Sequence, residues 1–229
     1  MKGLLLAGGL GTRLRPLTDE IPKCLVEISG RPLLEWWLCA FEELGVDKCY
    51  INTHHLAYMV EDYVSRRPNS DWISLVHEPT LLGTAGTISS LQDNFLDDML
   101  LVAHADNLVL GSLEGLVAGH LGRPPQCQMT MLTFRSSRKS EVGTVVADEN
   151  GVVVEYFEKD PAAPGNLANA AIFILEHQII NEIGSAVDFS KEVLPRMVGR
   201  LFSVEFGGTL IDIGTPAELD RARRLVKSS

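Results

Sequence analysis

The strongest constraint on this chain is the regular exchange, over its first hundred residues, of short apolar runs for segments with helical spacing. Gly3-Leu4-Leu5-Leu6-Ala7 is an uninterrupted apolar run ending in Gly8-Gly9, the pattern of a strand covered on both faces that feeds a tight loop. Pro32 suits the first turn of a helix that carries Leu33, Leu34, Trp36, Trp37 and Phe41 inward and stops at Gly45. Cys49–Asn52 reads as a strand, Leu56–Arg67 as an amphipathic helix cut off by Pro68, and Trp72–His77 as a third strand. Thr84–Gln92 follows as a helix and Met99–His104 as another strand. This rhythm predicts a mainly parallel sheet with helices on both faces. After Pro124-Pro125 it changes: Met129–Phe134, Thr144–Ala147, Val152–Phe157 and Ala170–Leu175 are strand-like with little helix between them. The second half therefore adds antiparallel strands, and helical patterns return at Lys191–Val198 and Pro216–Val226.

Composition narrows the function classes. With 20 Lys and Arg against 30 Asp and Glu, the 229 residues carry a formal charge of −10. A sequence pI near 5.0 argues against a broad nucleic-acid or anionic-membrane footprint, which needs clustered basic residues. Cys24, Cys39, Cys49 and Cys127 form no C-x-x-C pair, a usage that suits a reducing compartment better than a zinc site or disulfide framework. The apolar start breaks at Gly8-Gly9 and meets Arg13 and Arg15 without a small-x-small cleavage site, and no apolar stretch reaches about 18 residues. The expectation is a cytoplasmic protein with neither membrane nor nucleic acid as partner.

The segment Leu6-Ala7-Gly8-Gly9-Leu10-Gly11-Thr12-Arg13-Leu14-Arg15-Pro16-Leu17-Thr18, with Pro22-Lys23 after it, carries the chemistry. Glycines after a strand let backbone N–H groups turn toward a phosphate, and the two arginines and the lysine supply charge for an oligophosphate. A Walker A loop is excluded because no Gly-Lys-Ser/Thr triplet exists. The dinucleotide fingerprint fails where Leu14 stands in place of its third glycine.

That segment resembles the signature of the sugar-1-phosphate nucleotidylyltransferases, closest to the mannose-1-phosphate guanylyltransferase-like branch. The likeness continues through Leu82-Gly83-Thr84-Ala85-Gly86, Ala105-Asp106, Glu158-Lys159, Asn169-Ala170-Ala171 and Ile211-Asp212-Ile213-Gly214-Thr215-Pro216. It implies a single-domain Rossmann-like α/β fold over 1–229, with a mixed sheet. About 1–110 would bind nucleotide and about 111–229 the sugar. It also implies transfer of a nucleotidyl group from an NTP to a hexose- or heptose-1-phosphate, giving an NDP-sugar and pyrophosphate. Residues carried over are Arg13 and Lys23 as catalytic cations, and Leu6, Ala7, Gly8, Gly9, Gly11, Thr12, Gly83, Thr84 and Ala85 against the nucleotide. Gly143, Glu158, Lys159 and Asn169 would hold the sugar phosphate, and Asp106 and Asp212 a Mg²⁺ ion.

The residues fit that chemistry in their own right. In-line displacement at phosphorus needs positioning and charge neutralisation, not a covalent nucleophile. Asp106 and Asp212 each close an apolar strand-like run, and strand carboxyl ends line the ligand crevice of an open α/β sheet. Mg²⁺ takes one or two carboxylates together with phosphate oxygens. Thr84 reads equally as the cap of a helix, His54, His55 and His104 as structural, and Trp36, Trp37 and Phe41 as core. The resemblance of Gly83-Thr84-Ala85-Gly86 to the guanylyltransferase-like branch implies GTP, with uridylyl- or thymidylyltransferase as the alternative on the same scaffold. A non-catalytic nucleotide-sugar-binding subunit would be expected to have lost Arg13, Lys23 or an aspartate. Ala171, where the family pattern has glycine, would narrow the sugar pocket by one methyl group, and the chain is compatible with a homo-oligomer.

Overall fold

The computed structural model describes residues 1–95 and 98–227. In chain order its elements are β1 (Lys2–Leu6), α1 (Leu17–Glu20), β2 (Glu27–Ile28), β3 (Arg31–Pro32), α2 (Leu33–Glu43), β4 (Lys48–Thr53), α3 (Ala57–Arg66) and β5 (Ile73–His77). Then come α4 (Gly83–Ser90), β6 (Leu100–His104), β7 (Asn107–Leu110), α5 (Glu114–Leu121), β8 (Met129–Arg135), β9 (Gly143–Ala147), β10 (Val153–Glu158) and β11 (Leu167–Leu175). The chain ends through α6 (His177–Ile183), β12 (Leu201–Glu205), β13 (Thr209–Asp212) and α7 (Pro216–Lys227). The architecture is α/β with mixed strand directions and flanking helices, as the alternation predicts.

Two compact units share the chain. The first comprises 1–81, 103–111 and 208–229, the second 82–102 and 112–207. Each is discontinuous along the chain. The reason is backbone pairing: β13 returns from the end of the chain to lie antiparallel to β7, with Asp212 opposite Asn107 and Ile211 opposite Leu108.

In the first unit β1, β4 and β5 run parallel, Leu5 beside Ile51 and Ile51 beside Leu75. The central residues of β1 are buried, which explains their unbroken apolar character. α2 buries Leu33, Leu34, Trp37, Leu38 and Phe41. It ends in a Schellman motif, with Val46 N–H on the Phe41 carbonyl and Gly45 N–H on the Glu42 carbonyl. Trp36, expected in the core with Trp37, is half-buried and carries the Arg31 guanidinium 4.4 Å from its ring centroid. α7 closes the unit: Leu219 and Ala222 pack with Leu14, Val26, Leu33, Leu108, Ile211 and Ile213.

The second unit is built on β8, which pairs antiparallel with β11 and parallel with β12; β9 and β10 form an antiparallel pair beside β11. The helical pattern at 191–198 is not one helix. A π-turn over Phe189–Val193 passes into a 3₁₀ turn over Leu194–Met197, because Pro195 has no N–H to donate and its ring crowds the preceding turn.

His120 on α5 is fully buried in this unit. Its Nδ1 lies 2.8 Å from Thr130 Oγ1 and its Nε2 3.2 Å from Glu176 Oε1, while Arg123 also donates to Glu176. Burial first, and the Arg123 charge second, lower its pKa from 6.5 to about 4, against the opposing pull of Glu176. The folded protein therefore keeps His120 neutral where the unfolded chain takes up a proton. Stability from this site is complete above about pH 6.5 and is lost as the pH falls toward 4, by up to about 3 kcal/mol. Urea midpoints measured from pH 7.5 to 5 should fall in the native protein, and His120→Asn should flatten that slope.

Candidate active site

The loop that leaves β1 is anchored from below. Asn52, buried at the end of β4, accepts through Oδ1 from Ala7 N–H at 2.7 Å and Gly8 N–H at 3.3 Å. Its amide nitrogen donates to Glu78 Oε1 at 3.1 Å. Sequence patterns single out neither Asn52 nor Glu78, yet Asn52, oriented by Glu78, holds the first turn of the glycine-rich loop; the N–H groups of Ala7 and Gly8 are committed to its side-chain oxygen. Beyond this anchor Gly9 stands in open space. Gly11, at φ +61°, turns the chain into a 3₁₀ turn over Thr12–Leu14 that buries Leu14 and leaves Arg13 outward. Thr18 Oγ donates to the Gly11 carbonyl at 2.8 Å and closes the loop. His55 Nε2 sits 2.8 Å from the Thr18 carbonyl and His54 Nδ1 2.7 Å from that of Glu78, structural roles for both rings.

A second turn, Lys23–Leu25, follows Pro22 and buries Cys24 and Leu25. The Lys23 side chain is only 9% exposed, so its ammonium needs opposite charge close by. It has two sources. Nζ lies 2.5 Å from Asp106 Oδ2 and 3.5 Å from Asp212 Oδ1, and Arg13 Nη2 is 3.7 Å from Asp212 Oδ2. Four residues separated by as many as 199 positions along the chain thus form one cluster of two cations and two carboxylates within the first unit. Burial would raise the Asp106 carboxyl, but the Lys23 ammonium and the neighbouring His104 outweigh it and hold Asp106 below the usual carboxylate range.

The route to this cluster differs from the expected one. Asp106 does not end a strand; it occupies the turn between β6 and β7, where Ala105 N–H bonds to the Leu6 carbonyl and Ile213 N–H to the Asp106 carbonyl. Asp212 does end β13, but that strand belongs to the ribbon with β7, so register rather than a shared row of parallel strand ends brings it in.

The other motif residues lie in the second unit. Gly83 opens α4 at φ +79°, and the place where a Cβ would stand is 2.5 Å from the Val187 carbonyl oxygen. Only glycine permits that approach. Ala85 N–H donates to the same carbonyl at 2.9 Å, and Phe189 N–H donates to Thr84 Oγ1 at 2.8 Å. Thr84 is therefore not the helix cap, a position held by Leu82; its hydroxyl ties α4 to the 187–190 segment.

Glu158 faces Gly143 across the β9–β10 pair. Strand alternation puts Tyr156 on the same face, and its hydroxyl donates to Glu158 Oε2 at 2.5 Å. Lys159 takes a left-handed backbone, φ +53°, with Nζ half-exposed and 4.0 Å from Glu158 Oε1. Asn169 Oδ1 accepts from Ala171 N–H at 2.8 Å inside an irregularity of β11. Ala171 sits there at φ +55°, which costs an L-residue about 1–2 kcal/mol. The missing glycine is thus a backbone matter as well as one of pocket volume.

The sequence profile of the nucleotidyl transferase family matches residues 2–229. The chain belongs to this family. A mannose-1-phosphate guanylyltransferase catalytic subunit beta of Xenopus tropicalis is 29% identical over 226 residues, covering 95% of this chain and 62% of that protein. A UTP–glucose-1-phosphate uridylyltransferase of Synechocystis sp. is 29% identical over 249 residues, covering 100% of this chain and 64% of its own length. The first curated relatives are thus spanned by this nucleotidyl transferase chain for 62–65% of their length. Among solved structures, UDP-glucose pyrophosphorylase complexed with UDP-glucose superposes with a TM-score of 0.85 at 21% identity, covering 99% of this chain and 98% of that one. HddC from Yersinia pseudotuberculosis gives 0.82 at 23%, covering 98% and 99%. These likenesses establish the fold as that of the nucleotide-diphospho-sugar transferases. Among the described residues no helix is long and apolar enough to cross a membrane.

Proposed function

We propose that this nucleotidyl transferase moves a nucleotidyl group from an NTP, GTP by preference, to a hexose- or heptose-1-phosphate in a Mg²⁺-dependent reaction. The observation that carries the reading is the gathering of Arg13, Lys23, Asp106 and Asp212 into one cluster at 2.5–3.7 Å. In the reaction a phosphate oxygen of the sugar 1-phosphate attacks the α-phosphorus. The bond from that phosphorus to the α–β bridging oxygen breaks, and pyrophosphate leaves with its electron pair. Lys23, fixed by two carboxylates, supplies a preorganised positive charge for the α-phosphate as negative charge builds. Arg13, outward on its 3₁₀ turn, serves the β- and γ-phosphates and the departing pyrophosphate.

Asp106 and Asp212 offer oxygen donors only, and both already converge on the Lys23 ammonium; that donor set suits a hard divalent ion. When bound, Mg²⁺ would neutralise phosphate charge and orient the triphosphate. Glu158, Asn169 and Gly143 would address the sugar and Lys159 its phosphate. The preference for GTP rests on the likeness of the Gly83–Gly86 stretch to the guanylyltransferase branch, with uridylyl or thymidylyl transfer as the alternative. Retention of all four cluster residues speaks against a non-catalytic subunit. The four free cysteines accord with a cytoplasmic site of action.

The test is pyrophosphate release with Mg²⁺ over a grid of GTP, UTP, dTTP, ATP and CTP against sugar 1-phosphates, with Asp106→Ala as the blank. Turnover that needs one nucleotide, one sugar and Asp106 is the expected result. Neither binding nor turnover with any pair would overturn the proposal.

A further inference from the structure

Tyr156 has no place in the motifs that assign the sugar end, yet its hydroxyl is bonded to one of their residues. That oxygen donates to Glu158 Oε2 at 2.5 Å. Gly143 completes the arrangement, since a Cβ there would stand 2.5 Å from the Tyr156 oxygen and 3.0 Å from Glu158 Oε2. An aromatic hydroxyl bonded to a motif carboxylate, under a glycine that makes room for both, is a built position.

The consequence falls on Glu158. An unheld carboxylate rotates about its terminal bond and presents its lone pairs, two on each oxygen, in many directions. Here Oε2 accepts from the phenol, which fixes the plane of the carboxylate, and Oε1 lies 4.0 Å from Lys159 Nζ. We propose that Tyr156 is a specificity-determining positioning residue: by holding Glu158 Oε2 it fixes the direction in which the carboxylate can receive a sugar hydroxyl. The carboxylate then selects the configuration at one carbon of the sugar ring. Because a site built to hydrogen-bond one hydroxyl rejects analogues that misplace it, fixing this oxygen sharpens discrimination between epimers. The inference rests on the proposed sugar-1-phosphate transfer and adds to it the residue that sets the choice of sugar.

Tyr156→Phe keeps the ring and removes the hydroxyl. With the NTP saturating, the variant should raise the KM for the preferred sugar 1-phosphate about tenfold and narrow the kcat/KM ratio between that sugar and its epimers by a similar factor. The KM for the NTP should stay within twofold. Glu158→Gln should raise the sugar KM as well, and adding Tyr156→Phe to it should change little further, since both act through one carboxylate. Wild-type activity with an unchanged sugar KM and unchanged epimer ratio in Tyr156→Phe would overturn the inference alone. So would an equal rise in both KM values, or full additivity with Glu158→Gln. A wild-type protein inactive with every nucleotide and sugar pair would overturn the underlying reading and the inference with it.

Discussion

Lys23→Met is expected to lower pyrophosphate release by about 10²–10³-fold, the usual cost of removing a preorganised charged donor from a developing negative charge. Methionine matches the length of the aliphatic stem and keeps the packing of the turn. Asp106 and Asp212 lose the ammonium between them, but their side chains are 34% and 54% exposed, so water can solvate both carboxylates and the fold survives. The loss should appear in kcat more than in the KM for either substrate, because the charge acts on the transition state. Lys23→Arg should not restore the rate: the guanidinium is planar and broader, and the site encloses a compact cation on two sides. The measurement is steady-state release of pyrophosphate by wild type and both variants, with circular dichroism to verify folding. A folded Lys23→Met protein at wild-type rate would remove Lys23 from the chemistry.

Trp37→Ala should cost the largest share of stability of any single substitution considered. Trp37 is 2% exposed, packs edge-on to Phe41 with ring centroids 5.9 Å apart, and donates from Nε1 to the Asn107 carbonyl at 2.8 Å. Truncation leaves a cavity in a close-packed core, worth about 3–5 kcal/mol. The orphaned carbonyl adds about 1 kcal/mol more. Total stability of a domain is only about 5–15 kcal/mol, so the variant should sit near the edge of unfolding at 37 °C. Trp37→Phe retains most of the volume and should lose about half as much. Urea midpoints of the three proteins measure this. Since Asp106 is held by Lys23 and by the Ile213 N–H rather than by Trp37, activity of the alanine variant should fall in proportion to its unfolded fraction and no further.

The parts of this molecule that could be read from sequence are those whose cause is local. β1 and its loop are a run of apolar residues followed by glycines; α2 is a helical stripe ended by Gly45. The short connections that carry no such pattern stayed invisible. α5 is apolar on most sides and lacks a stripe, and α6 is only seven residues long. β13 was visible as an apolar run but its partner was not, because strand register is a property of two segments roughly a hundred residues apart. The site shows the same split. Arg13, Lys23, Asp106 and Asp212 stand within recognisable motifs. Asn52 and Glu78 are single polar residues at strand ends, and only their burial reveals that they hold the loop. Tyr156 hid within an ordinary strand pattern, beside a second aromatic residue, Phe157.

The ribbon that brings Asp212 to Asp106 also sets when the first unit can be completed. Synthesis proceeds from the N-terminus, and 81 of that unit's residues emerge before any residue of the second. Yet Ile211 and Ile213 of its core, the partner strand of β7 and the covering helix α7 all come from 208–229. The nascent chain must carry an open edge at β7 and an uncovered patch around Leu14, Val26 and Leu108 while nearly all of the second unit is made. Long-range closure of this kind is slow and leaves apolar surface exposed to other chains. The cluster of charges consequently forms last, as a by-product of the step that seals the core, so a protein that has not finished folding has no assembled site with which to bind or turn over a nucleotide.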